Sequence, residues 1–352
     1  MKAGRLLTIT AVCLTVFAAI GTKVSDPHKI SEDKVETAAE PTQMPVRTLK
    51  VTATGDCTFA TDVNASYELG FDGYYDRYGA DWFFRNVKDI FAEDDLTLVN
   101  FEGTLSDRGQ REIKQFAFRG RPEYVDILSN SSVEAANLAN NHSMDYGEVS
   151  LMDTKDYLAE AGILHCRGEE DVAVAEINGI KVGLVGINYL NDQMRTELES
   201  AIEKAKKGGA EIIILSIHWG VEKATAPNSD QINAAHTAID CGADLVIGTH
   251  PHVLQGFEQY KGKYICYSLG NFSFGGNNAP SDMDTAIFRT TFKIENGELS
   301  DSGIEIIPCR ISSADGYNNY QPTPAVGDKR ERIITRLTNY TDALGGPELN
   351  FR

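Results

Sequence analysis

Seven residues of metal-ligand type stand where short apolar runs end. Asp56 closes Val51 to Gly55, Glu102 closes Leu96 to Phe101, and Asn141 and His142 follow Val133 to Asn140. His218 follows Ile212 to Ile217, and His250 follows Leu245 to Thr249, with His252 two positions on. Carboxylate, amide and imidazole together make an oxygen–nitrogen donor set suited to Mn, Fe or Zn. One or two such divalent ions would activate water and stabilise charge on a substrate, so the chemistry in view is metal-dependent hydrolysis.

Each position also has an ordinary reading. Asp56 suits an Asx-turn, Asp145 suits a helix cap after a polar turn, and a lone histidine is often a satisfied core group. The set is what favours a site. Glu102 ends an otherwise apolar strand, where a carboxylate must be paired, solvated or metal-bound. His250 and His252 lie two apart, so in an extended segment they share a side, and Pro251 stiffens their spacing. Four of the seven histidines fall in these positions; His28, His165 and His236 read as structural or solvated. Asn141 reads as an oxygen ligand. His142, directly beside it, cannot easily meet the same ion and reads as the catalytic proton donor or charge stabiliser. Behind these, Glu222 is placed to orient an imidazole, Gln255 to bind substrate or cap a loop, and Asn271 to line the rim. Cys57 points to the opposite strand face from Asp56 and reads as core.

Short apolar runs separated by helical stretches read as buried parallel strands, and sites in such sheets form beyond the strands' carboxyl ends. The helical stretches expected are Asp81 to Ala92, Glu123 to Leu128, Ser150 to Ala161, Glu197 to Lys207, Asp230 to Cys241 and Ala325 to Leu344. Val172 to Ile187 reads as a hairpin turning at Asn178-Gly179. From Val253 the pattern is mostly β, with strands at Tyr264 to Leu269, Ala286 to Glu295 and Leu299 to Pro308. The fold class expected is α/β, with two stacked mixed sheets flanked by helices.

The 352 residues suffice for a sizeable core, and the net charge of −18 excludes a nucleic-acid partner, which needs a basic face. Lys2 and Arg5 precede an apolar stretch from Leu6 to Ile20, so residues 1–21 read as a signal peptide or membrane anchor. Residues 22–45 are polar with three prolines and read as a disordered linker; residues 46–352 read as the folded domain. The protein is therefore expected to be exported, either anchored on the extracytoplasmic face of the cell membrane or secreted. Five cysteines lie outside the leader, an odd number without CxxC spacing, so no disulfide or zinc knuckle is expected.

Six segments carry a resemblance: Gly55-Asp56, Asn100 to Gly103 (NFEG), Ala139 to Gly147 (ANNHSMDYG), His218 to Glu222 (HWGVE), Gly248 to Gln255 (GTHPHVLQ) and Tyr267 to Phe272 (YSLGNF). Together they resemble the bacterial capsule synthesis proteins of the CapA type. That family is associated with poly-γ-glutamate biosynthesis and related to calcineurin-like metallophosphatases. The resemblance implies a four-layer α/β-β-α sandwich of metallophosphatase type, with Asp56, Glu102, Asn141, His218, His250 and His252 as metal ligands, Glu102 bridging, and His142 as catalytic histidine. One departure is plain. Metallophosphatases usually place a ligand histidine two residues after the first aspartate; Thr58 stands there, so one metal position has a weaker donor set. Two functions follow: a metal-dependent hydrolase of a phosphoester or amide bond, or a noncatalytic membrane-tethered factor for polymer binding, assembly or export. The partners implied are an anionic polymer such as poly-γ-glutamate, or a small anionic substrate, and membrane-bound capsule synthesis machinery.

Overall fold

Two β-sheets lie face to face, and their inward side chains form the central core. The computed structural model describes residues 45–63, 66–190 and 195–352; the leader reading and nearly all of the linker reading fall outside the described residues. The first sheet is built around β1 (Arg47–Thr58), β2 (Leu96–Phe101), β5 (Ala135–Asn137) and β6 (Leu164–Cys166), side by side and parallel. Between β2 and β5 in the chain, the two-residue strands β3 (Thr104–Leu105) and β4 (Arg119–Gly120) pair with each other. The second sheet centres on β8 (Ile180–Tyr189), β9 (Ile212–Trp219), β10 (Leu245–Thr249) and β12 (Lys263–Cys266), again parallel. Its edges are antiparallel, formed by β7 (Ala173–Ile177) and β11 (Phe257–Tyr260). The first sheet is extended antiparallel by β14 (Asp284–Glu295), β15 (Glu298–Arg310) and β16 (Thr323–Pro324). The short strands β13 (Asn271–Phe274) and β17 (Asn350–Phe351) join β1 and β15. Both sheets are thus mixed, as expected.

Alternation along each strand explains the layers. In β9, Ile212 and Ile214 face the other sheet, meeting Val51 and Leu98, while Ile213, Leu215 and Ile217 face outward. Both faces are therefore buried, and the run is apolar without a break. The outer face of the second sheet is covered by α5 (Arg195–Lys207) and α6 (Ser229–Cys241) through Leu198, Ile202, Ala234 and Ala238. The outer face of the first is covered by α1 (Phe71–Tyr78), α2 (Lys88–Phe91), α3 (Val125–Ser129) and α4 (Glu148–Glu160), through Phe71, Phe91, Ile127 and Leu158. Helix, sheet, sheet and helix make four layers. A last helix, α7 (Asp328–Asp342), inserts Ile333 and Leu337 at the edge of the inter-sheet core.

Local signals hold where the turn chemistry is strong. Asn178 and Gly179 both take positive φ, 51° and 73°, and Ile177 pairs with Ile180 across them. Elsewhere tertiary contacts override pattern. The helix expected over Asp81 to Ala92 is instead a 3-10 turn at Ala80–Trp82 and the four-residue α2. Trp82 Nε1 donates to the Asn319 carbonyl at 2.9 Å and Asn86 Nδ2 to Gln321 Oε1 at 3.1 Å, anchoring the segment to a distant loop. The helix α1 precedes it and has no counterpart in the sequence reading. The strand read over Val133 to Asn140 shortens to β5, and Tyr264 to Leu269 shifts to β12, because Asn140 and Ser268 spend their side chains on turns. Cys57, Cys166, Cys241, Cys266 and Cys309 are free thiols, and all but Cys241 are buried.

Candidate metal centre

The two sheets bring their carboxyl ends to one rim. Asp56 lies near the end of β1, Glu102 directly follows β2, and His218 is the penultimate residue of β9. Asn141 and His142 occupy the turn between β5 and α4; His250 and His252 follow β10. β1 reaches this depth because Gly55 lets Gly270 approach: a Cβ on Gly55 would sit 1.8 Å from the Gly270 oxygen. The Asp56 amide donates to that carbonyl at 2.9 Å. His250 and His252 both hold positive φ, 94° and 58°. Non-glycine residues adopt that region at a cost, and such strain concentrates at working sites.

Glu102 is at the centre. It is fully buried, and its Oε1 has no hydrogen-bond partner. The Nε2 atoms of His142, His218 and His252 each stand 3.8 Å from that oxygen. That spacing is too long for hydrogen bonds. For His218 and His252 it fits donors around an ion, since atoms bound at about 2.0–2.2 Å to one metal lie about 3–4 Å apart. Asp56, Glu102 and His252 offer ligand atoms within 4.8 Å of one another. On the other side, Asn141 Oδ1 lies 2.8 Å from His218 Nε2, and the rings of His218 and His250 are 4.6 Å apart. His250 Nδ1 is buried and unpartnered. The donor set thus fits a divalent ion: Asp56, which also lies 3.9 Å from His218 Nδ1, Glu102, Asn141, His218, His250 and His252 are gathered at one place. Thr58, standing where a histidine would add a donor, donates instead to Glu102 Oε2 at 3.4 Å.

The electrostatics agree. Burial pushes the Glu102 carboxyl up to about 7, against the pull of His252. Burial holds His218 well below its ordinary value and His250 down to about 4, so both are neutral and able to ligate. Burial also opposes charge on His252, yet Glu102 and Asp56 outweigh it and raise that imidazole to about 10. The proton on His252 supplies positive charge that a cation would otherwise bring.

His142 is oriented differently. Its Nδ1 lies 2.7 Å from Asp145 Oδ2, and its ring packs on Phe118 with centroids 4.6 Å apart. Fully buried Asp145 also accepts from the Phe118 amide at 2.6 Å and from Lys114 Nζ. Asp145 is therefore an orienting partner and not a helix cap; the α4 cap is Gly147, without a side-chain bond. The pairing leaves His142 Nε2 facing Glu102 and the cavity. That cavity, about 240 Å³, is floored by Glu102, His142, His252 and Asn271 and walled by Phe116, Phe118, Phe274 and Val253.

The remaining candidates separate. Asn271 sits beside Asp56 in the β1–β13 register, and its Oδ1 lies 3.0 Å from His252 Nδ1, so it fixes that ring. Glu222 is exposed at the cavity mouth next to Lys223. Gln255 is not at the cavity: fully buried, it donates to the carbonyls of Ala224 and Ala226 and accepts from Gln231, bracing the loop that carries Glu222. Asn100 was not singled out as a site residue from sequence. Its Nδ2 donates to Asp56 Oδ1 at 2.8 Å while its Oδ1 accepts from Asn137 at 3.0 Å. It is the direct partner of Asp56 in the β1–β2 register, a relation that local sequence does not show.

Against known proteins, residues 50–276 match the profile of the bacterial capsule synthesis protein family PGA_cap. The chain belongs to that family. The capsule biosynthesis protein CapA of Bacillus anthracis is 31% identical over 75% of this chain and 69% of its own. The PGA biosynthesis protein CapA of Bacillus subtilis (strain 168) is 30% identical over 75% of this chain and 73% of its own. Among solved structures, a phosphatase from Mycoplasma pneumoniae superposes with a TM-score of 0.48 at 14% identity, covering 75% of this chain and 94% of that one. The PGA_cap match contains every proposed ligand from Asp56 to His252. Among the described residues, no helix is long and apolar enough to cross a membrane.

Proposed function

We propose that this chain is an extracytoplasmic metal-dependent hydrolase of capsule or poly-γ-glutamate biosynthesis, cleaving a phosphoester or amide bond. The observation that carries the reading is the buried, unpartnered Glu102 oxygen with the ligand imidazoles of His218 and His252 at 3.8 Å and the proton-donor imidazole of His142 at the same distance on the cavity side. Asp56, Glu102, Asn141, His218, His250 and His252 would hold the ion, Mn, Fe or Zn. When bound, it would supply Lewis acidity and a water of lowered pKa. The chain's own residues do the rest. His142, held at Nδ1 by Asp145, presents Nε2 to the cavity and gives a proton to the leaving atom. Asn100 and Asn271 fix Asp56 and His252 by hydrogen bonds. Phe118 and Phe274 exclude water beside the reacting bond, and Lys223 meets an anionic substrate at the mouth.

The polymer reading rests on the relatives' names, which concern capsule and PGA biosynthesis. In it, residues 1–21 export or anchor the chain, residues 22–45 tether it, and residues 46–352 work on the polymer beside membrane-bound synthesis machinery. Thr58 favours a second reading, a noncatalytic factor that binds polymer for assembly or export, because it leaves the donor set without that histidine. Metal analysis with a hydrolysis screen on phosphodiesters and γ-glutamyl peptides separates the two. Metal-dependent turnover supports the first; a metal-loaded protein that binds polymer without cleaving either bond supports the second.

A further inference from the structure

The segment Pro280–Asp282 that borders the metal cavity also borders a second concavity. This open groove, about 770 Å³, carries Arg310, Arg332 and Arg336 along its walls. Two carboxylates face these three guanidiniums. Asp282 is held by Arg336 through two bonds of 2.7 and 3.0 Å. Asp284, almost fully buried, accepts from Arg332 Nε at 3.0 Å and from Arg336 at 2.6 Å. Both acids are thus occupied, and half of the Arg332 side chain remains exposed.

Arg310 is the third and the least satisfied. One terminal nitrogen donates to the Ala314 carbonyl at 3.3 Å and to exposed Asp315 at 2.8 Å, an acid it shares with Lys329. The other terminal nitrogen meets only the Met283 sulfur, at 3.4 Å. Its buried Nε has no partner. A guanidinium offers five N–H donors in a fork that matches a carboxylate, and buried donors are normally paired. In a chain of net charge −18, a groove where Arg310, Arg332, Arg336 and the adjoining Lys329 meet only Asp282, Asp284 and Asp315, and where guanidinium donors remain spare, is complementary to an anion.

We propose that this groove is an anion subsite holding the carboxylates of an extended acidic chain whose adjoining segment enters the metal cavity. The substrate is then a poly-glutamyl chain long enough to cross Pro280–Asp282, and not a small anion. The inference rests on the reading of the metal cavity as the working site, yet binding to the groove does not require turnover.

The test is calorimetric titration of the full chain, metal-loaded and metal-stripped, with γ-linked hexaglutamate and with γ-glutamyl-glutamate. The metal-loaded protein should bind the hexamer about tenfold or more tightly than the dipeptide. Arg310→Gln and Arg332→Gln should each weaken the hexamer about 5–10-fold, as expected for one charge-assisted contact, and leave the dipeptide unchanged. Arg332 is half exposed, so its replacement remains informative if Arg310→Gln fails to fold. Arginine-dependent hexamer binding that persists in the stripped protein, without any turnover in the loaded one, upholds the groove while sinking the amide-hydrolase reading. Hexamer affinity equal to dipeptide affinity, or unaltered by Arg332→Gln, overturns the proposal.

Discussion

Replacing Glu102 by Gln should move stability in opposite directions with and without metal. In the metal-free protein the Glu102 carboxyl lies at about 7 against an ordinary 4.5, chiefly through burial. At 1.36 kcal/mol per unit, ionised Glu102 then works against the folded state by roughly 3 kcal/mol. Part of this returns through His252, which Glu102 and Asp56 raise to about 10. The net gain from Glu102→Gln is therefore about 1–2 kcal/mol at pH 8, or about 2–4 °C in Tm for a domain of this size. The sign with pH follows from two raised values. Each group contributes stability that is complete below its unfolded pKa and lost as pH rises through the folded one. For Glu102 the window is about 4.5 to 7, and for His252 about 6.5 to 10. Wild-type Tm in chelator should thus fall from pH 5 to pH 9, and the variant's should fall less. Excess Mn should instead raise wild-type stability by about 2.7 kcal/mol at a hundredfold excess over Kd, and raise the variant's by clearly less. Differential scanning calorimetry in chelator and in Mn reads both arms. A variant that is no more stable than wild type in chelator, and gains as much as wild type from Mn, would refute the reasoning.

Three further outcomes follow from the same geometry. His142→Gln should keep its metal and lose turnover by about 10²–10⁴-fold, whereas His250→Ala should lose metal; stoichiometry and rate on the same preparations decide, and equal metal loss would make His142 a ligand. Asn271→Ala, which removes one of the two oxygens 3.0 Å from His252 Nδ1 and leaves only Asp56 Oδ2, should weaken metal affinity by about 10–100-fold in a competition titration; an unchanged affinity would deny it that role. Burial raises the Glu134 carboxyl to about 7 while its Oε2 accepts from the Thr97 amide at 2.8 Å, so its contribution to stability is lost as pH rises from about 4.5 through 7. Glu134→Gln keeps an acceptor and should flatten that decline in Tm; an identical pH profile would contradict it.

Much of this arrangement is legible in the residues because the strand runs and their endings share one physical cause. A strand buried on both faces is apolar throughout, so a carboxylate or imidazole at its end stands out, as Glu102 does after Phe101 and His218 does after Ile217. Asn178-Gly179 is legible because type I′ turns demand positive φ at both positions. The supporting residues are less visible. Asn100 and Asp145 act through bonds to Asp56 and His142, and nothing in local spacing distinguishes them from turn formers. For Gln255 the loop-capping alternative holds and the substrate-binding one does not, since its side chain turns to Gln231 and to the Ala224 and Ala226 carbonyls, a direction its nearness to His252 in sequence does not show. The groove formed by Arg310, Arg332 and Arg336 joins β15 to α7, a meeting that only the tertiary fold creates. The region from Phe71 to Phe91 was misjudged because aromatic packing and hydrogen bonds to residues near 320 decide its path.

The central claim is that Glu102 and its neighbours hold a divalent ion, and elemental analysis tests it most directly. Full-length protein reconstituted with Mn or Zn at neutral pH, desalted and assayed by mass spectrometry should retain one or two ions per chain, and Glu102→Gln prepared alongside should retain fewer. Wild-type protein that remains metal-free, with a Tm unaltered by excess of either ion, would contradict the account.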